Sequence, residues 1–214
     1  MNMIKSLFKG CLTIPNLLSV IRIILVPVFA YLFLNGHQIA AIVILAVSGL
    51  TDLFDGKIAR RFNQVSELGK ILDPVADKIT QITIAVMLFI LFRGAESSLI
   101  NAFGWVFLVF LIKEAVMVIG GLLMLLFNIK PGAAEMPGKV ATAAFYFIMI
   151  LIIAFAPEIG VFNALWTMPE MLVGILVVVS AILCVVAFLS YMPAVYKQVK
   201  ERFGKSAKEK AAKK

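Results

Sequence analysis

The chain has 214 residues, 62% of them hydrophobic and only 15% charged, with a mean hydropathy of +1.03. Soluble domains are nearer about 45–50% apolar, so this composition excludes a soluble globular protein and points to one integral membrane domain. Much of the net charge of +8 lies in the tail from Lys197 to Lys214; beside an apolar helix it fits anionic lipid headgroups more simply than nucleic acid.

Residues 1–12 are expected to form an interfacial amphipathic helix, with Lys5 and Lys9 on the wet side and Ile4, Leu7 and Phe8 opposite. No small-residue cleavage site follows, so a cleaved signal peptide is not expected. Pro15 suits a helix first turn. The first apolar span runs from Leu17 to about Leu34 and the second from Ile39 to about Ile58. Arg60 to Gln64 is expected to be a loop. The third span covers about Leu68 to Phe92, the fourth about Ala102 to Phe127, the fifth Lys139 to Ala156 and the sixth Met171 to about Tyr196. Each is long enough to cross a hydrocarbon core of roughly 30 Å.

The expected fold is therefore all-α and integral to the membrane, with six transmembrane helices after the interfacial helix. Residues 13–197 form the membrane domain and 198–214 a basic, partly disordered tail. Lys and Arg near the helix ends set the orientation. Lys5, Lys9, Arg60, Arg61, Lys70, Lys130, Lys139 and the tail fall on one side, and Arg93 on the other. Both termini and the loop near Arg60 are thus expected in the cytoplasm of a multi-pass cell-membrane protein. Cys11 and Cys184 have no metal spacing and read as packing residues. His37 falls in a loop on the far side. Met117, Met124, Phe145 and Met149 read as lipid-facing or core positions.

Asp52, Asp55, Asp73 and Asp77 are the residues that need explaining, since acids inside apolar runs are costly to keep. On a helix, Asp52, Asp55, Gly56 and Ala59 share one face, and so do Gly69, Asp73 and Asp77. The two helices are consecutive and antiparallel, so the faces can meet. Small residues at Gly56, Ala59 and Gly69 leave room for close approach or for a ligand. Converging carboxylates repel unless cations neutralise them. Oxygen ligands suit Mg²⁺ or Mn²⁺, and carboxylate-held metals commonly serve phosphate chemistry. Salt bridges to Lys57, Arg60, Lys70 and Lys78 would explain one such acid more simply than four at paired spacings.

The run Asp52-x-x-Asp55-Gly56-x-x-Ala59-Arg60, eight further residues, then Gly69-x-x-x-Asp73-x-x-x-Asp77 resembles the complete signature of the CDP-alcohol phosphotransferases. Ile14-Pro15-Asn16-Leu17-Leu18 and the six-span layout extend the resemblance over essentially the whole chain. The resemblance implies an enzyme that moves a phospho-alcohol from a CDP-alcohol to a hydroxyl acceptor and releases CMP. It implies two divalent ions, Mg²⁺ or Mn²⁺, held by Asp52, Asp55, Asp73 and Asp77, with Asp77 also the base that takes the acceptor's proton. It implies that Gly56, Ala59, Arg60, Ser66 and Gly69 line the cytidine and phosphate pocket, with Asn16 close by, and that the enzyme is a homodimer.

The segment from Asn63 to Lys78 resembles both the phosphatidylglycerophosphate synthase branch, whose acceptor is glycerol 3-phosphate, and the CMP-forming cardiolipin synthases, whose acceptor is phosphatidylglycerol. The first is the expected activity, with CDP-diacylglycerol as donor. Phe54 and Lys113-Glu114 depart from the glycerophosphate pattern, where Trp after the first Asp and Arg-Glu are common. Lys113 and Lys139 are candidates to bind an acceptor phosphate. An ion-coupled transporter would show repeated halves and acids at the midplane. A membrane prenyltransferase would draw its acids from two separated helix pairs, and a structural protein would have no need of them.

Overall fold

The computed structural model describes residues 13–61, 66, 68–126 and 136–212, with side chains over these except 52–61, 70–71, 125–126, 136–137 and 201–212. The expected interfacial helix over residues 1–12 lies outside the described residues. Among those described, seven helices follow one another: α1 (Ile14–Leu34), α2 (Gln38–Arg61), α3 (Gly69–Arg93), α4 (Ser98–Gly104), α5 (Phe107–Leu126), α6 (Met136–Phe155) and α7 (Glu170–Ala212). Five stretches are long and apolar enough to cross a membrane, and the described part of α2 adds a shorter apolar helix. The chain is a multi-pass, all-helical membrane protein.

Local chemistry explains the ends. Thr13 caps α1 by accepting the amide N–H of Asn16, and Pro15 sits in the first turn, where its missing N–H costs nothing. Asn35 and Gly36, the latter at a φ of +80°, turn the chain back into α2. α6 starts three residues earlier than expected, taking Pro137 into its first turn.

α2 runs on through Arg60 and Arg61, where a loop is expected. Two further elements differ from expectation. The fourth span is broken by a turn at Trp105 and Val106, which separates α4 from α5. Packing near the break accounts for it: Gly104 lies against Phe92 and Arg93, and the Arg93 guanidinium stacks 4.5 Å above the Trp105 ring. The last helix does not end near Tyr196 but continues to Ala212, through the segment expected to be partly disordered. Lys, Glu and Ala are strong helix formers, and a preformed helix needs only to be extended, not nucleated.

α1 packs mainly on α2 and then on α3, α3 also contacts α4 and α5, and α6 packs on α7. The core runs through α3, with Ile84, Leu88 and Phe92 buried. An aromatic series ties it to α5 and α6: Phe92 meets Phe107 edge-on at 5.1 Å, Phe107 meets Phe110 at 5.9 Å, and Phe110 meets Phe145 at 5.1 Å. Met124, Phe145 and Met149 are core residues and Met117 is half-buried. Outward-facing Ile112, Leu122, Ile175 and Ile182 are exposed, as expected of a surface solvated by lipid.

At the end away from the aspartates, Glu158 accepts the backbone N–H groups of Glu96 at 2.7 Å and Ser97 at 3.0 Å. Ser97 donates to Glu170 at 2.8 Å, which ties the start of α4 to the start of α7. That end is closed by polar contacts, and His37 lies exposed there.

Candidate active site

The site begins where α1 and α3 start side by side. Asn16 Nδ2 donates to Ser66 Oγ at 2.8 Å, Ser66 Oγ donates to Asn16 Oδ1 at 3.0 Å, and the Gly69 N–H donates to Ser66 Oγ at 2.9 Å. Asn16 and Ser66 are buried. A Cβ on Gly69 would stand 2.5 Å from Asn16 Oδ1 and 3.0 Å from Ser66 Oγ, so only glycine permits this approach. Ser66 and Gly69, expected to line a cytidine and phosphate pocket, and Asn16, expected close by, thus also bond together and fix α1 against α3.

One turn further along α3, Asp73 accepts a short hydrogen bond from Ser19 of α1. A second turn brings Asp77, which accepts from Tyr146 Oη at 3.1 Å and from Gln81 Nε2 at 3.0 Å. Gln81 also reaches Thr142 Oγ1 at 3.5 Å. The Asp77 carboxylate is therefore oriented by α3 and α6 together.

α2 supplies the other half. Its last turns carry Asp52, Asp55, Gly56, Ala59 and Arg60, whose side chains fall outside the described ones. Their height follows from the register. Leu25, Val26 and Phe29 of α1, Ile44, Leu45 and Ser48 of α2, and Thr80 of α3 line one small cleft. Counting from that layer toward the start of α1 gives Arg22 and then Ser19. The same count gives Asp52 and Asp55 on α2, and Asp77 and Asp73 on α3. The Ser19–Asp73 bond shows the same register directly between α1 and α3. The backbone thus sets the four aspartates at two adjacent heights.

This donor set fits hard divalent cations. It is all oxygen, and it lies at the end of the bundle where α2 closes and α3 opens. Asp73 receives one hydrogen bond among the described residues, leaving acceptor capacity on the carboxylate. Among the described side chains no three of His, Cys, Asp and Glu converge, and Asp52 and Asp55 stand outside that description.

The two candidate acceptor lysines differ in setting. Lys113 sits midway along the fourth span and pairs closely with Glu114, whose carboxylate also meets Lys78 Nζ at 2.7 Å. Glu114 is 2% exposed. Two lysines around one buried acid leave a net positive charge below Asp77. Lys139 is exposed at the start of α6, on the face that carries Thr142 and Tyr146. Ser19, Arg22, Gln81 and Tyr146 are the polar members that sequence reading passes over. Only Arg22 carries an evident signal there, as the single charged residue in α1.

The sequence profile of the CDP-alcohol phosphatidyltransferase family matches residues 12–186. A relative from Mycobacterium tuberculosis is 47% identical over 77 residues, 36% of this chain and 37% of its own length. A Streptomyces coelicolor protein named cardiolipin synthase (CMP-forming) is 36% identical over 137 residues, 61% of this chain and 60% of that one. An Aquifex aeolicus protein named CDP-diacylglycerol–glycerol-3-phosphate 3-phosphatidyltransferase is 29% identical over 189 residues, 88% of this chain and 98% of its own. The chain thus spans less than two thirds of the first two relatives.

Proposed function

The chain belongs to the CDP-alcohol phosphatidyltransferase family, and from that membership we propose that it transfers the phosphatidyl group of CDP-diacylglycerol to glycerol 3-phosphate, releasing CMP and forming phosphatidylglycerophosphate. The observation that carries the choice of acceptor is the likeness to the Aquifex aeolicus enzyme over nearly the full length of both chains. Similarity to the cardiolipin synthase is stronger per residue but shorter. It favours a second reading, in which phosphatidylglycerol is the acceptor.

Asp52, Asp55, Asp73 and Asp77 would hold two Mg²⁺ or Mn²⁺ ions. Bound there, such ions would supply Lewis-acid stabilisation for the donor's diphosphate. Gly56, Ala59 and Arg60 would face the cytidine and its phosphates, Arg60 offering fixed donors. Asp77 takes the proton from the acceptor hydroxyl. The hydroxyl oxygen forms a bond to the phosphatidyl phosphorus, and the bond from that phosphorus to the CMP oxygen breaks. CMP leaves with the electron pair. Tyr146 and Gln81 orient the Asp77 carboxylate toward the incoming hydroxyl. Lys139 attracts the acceptor's phosphate from the open end, and the net positive Lys78–Glu114–Lys113 group adds to the field below.

The aspartate end faces the cytoplasm in this reading, since Arg60, Arg61, Lys70, Lys139 and the tail all gather at that end. The working form is a homodimer, as the family resemblance implies. The test is CMP release by the purified protein with CDP-diacylglycerol and Mg²⁺, offered either acceptor. Release with glycerol 3-phosphate supports the first reading. Release with phosphatidylglycerol alone transfers the protein to cardiolipin synthesis, and no release with either rejects both.

A further inference from the structure

Among the described residues Arg22 is the largest fully buried side chain, 1% exposed on the face of α1 that also carries Ser19 and Val26. A guanidinium cannot shed its charge by titration. In a membrane-embedded bundle such a charge must be compensated by anions nearby. The register limits which anions can do this. Val26 lies in the layer of Ser48 and Thr80, and Ser19 lies in the layer of Asp73. Arg22 stands between them, at the height of Asp52 on α2 and Asp77 on α3. Arg22 is 1% exposed, so lipid headgroups do not reach it within the folded bundle, and the neighbouring turns of α1 are otherwise uncharged.

We infer that Arg22 is a built-in cation of the aspartate site, a positioning residue that offsets part of the carboxylate charge from the membrane side. The carboxylates would otherwise repel one another whenever the metals are absent. Arg22 holds α1, α2 and α3 together in that state, and it weakens each metal's binding by like-charge repulsion. The site can then release its metals without coming apart. This rests on the reading of the aspartates as metal ligands given above.

The experiment compares the wild-type chain with Arg22→Met and Arg22→Lys, each purified in detergent. Unfolding midpoints are measured in EDTA and along a Mn²⁺ titration, and Mn²⁺ binding is followed separately by electron paramagnetic resonance. Arg22→Met should unfold earlier in EDTA and regain most of the loss in Mn²⁺. Its half-saturating Mn²⁺ concentration should fall about tenfold or more. Arg22→Lys keeps the charge and should stay near the wild-type value. Equal losses with and without Mn²⁺, or Mn²⁺ binding that is unchanged or weaker in Arg22→Met, would make Arg22 a packing residue and overturn the inference. A variant that folds in neither condition counts as the same result. If the wild-type chain itself shows no Mn²⁺-dependent stabilisation, the metal reading falls first and this inference with it.

Discussion

Replacing Gly69 by alanine tests the junction of α1 and α3, and two opposing effects decide its sign. Alanine in a helix is favoured over glycine by about 1 kcal/mol. At Gly69 the new Cβ would stand 2.5 Å from Asn16 Oδ1, well inside an ordinary carbon–oxygen contact, so the Asn16 side chain must leave. Its departure breaks both hydrogen bonds with Ser66, at about 1 kcal/mol each. Asn16 is buried, so no solvent replaces Ser66, and an unsatisfied amide adds about 1–3 kcal/mol. The balance is a loss of about 2–4 kcal/mol, or a midpoint about 4–16 °C lower by the scaling for chains of this size. Thermal unfolding in detergent measures it. Asn16→Ala should cost far less in the Gly69→Ala background than alone, because the two changes act on one contact. A Gly69→Ala chain that unfolds at or above the wild-type temperature would refute the reasoning.

Tyr146→Phe removes one hydrogen bond that orients Asp77. We expect kcat to drop about tenfold with KM for the CDP-lipid unchanged; a change confined to KM would place Tyr146 with the donor instead. Glu114→Gln leaves Lys78 and Lys113 without their shared anion. It should destabilise by about 3 kcal/mol in denaturant unfolding, and an unaltered midpoint would count against the pairing. Lys139→Ala should raise KM for glycerol 3-phosphate about tenfold while sparing kcat. An unchanged KM would remove Lys139 from the acceptor site.

The order and type of the helices are legible in the sequence because lipid solvation demands long apolar runs, and the turn residues between them are strong breakers. Finer features are not. The break at Trp105 and Val106 lies inside an unbroken apolar run and depends on what Gly104 meets on α3. The helical tail sets two local signals against each other, charge density and helix propensity, and propensity prevails. At the site, the repeated spacing of the aspartates is visible because it is periodic on one element. Ser19, Gln81 and Tyr146 are single polar residues in apolar helices, and their meaning appears only when α1 and α6 come beside α3. Lys113 shows the limit from the other side: its charge is evident in the sequence, but its pairing with Glu114 inside the bundle is a tertiary fact.

The buried Arg22 also bears on how the chain enters the bilayer. The first of the described spanning helices carries an arginine near its middle, a residue that raises insertion cost by about 2.5–3.5 kcal/mol. The fourteen Leu, Ile, Val and Phe residues of α1 outweigh that, so the helix can integrate early. Asp52, at its height on α2, follows 30 residues later and Asp77 on α3 follows 55 residues later, which at 5–20 residues per second is roughly 2–6 s and 3–11 s of synthesis. Until α2 arrives the nascent chain must shelter the guanidinium, at the translocon or by drawing water inward. α1 is thus inserted before it is satisfied, and the arrival of α3 commits the first three helices to one another.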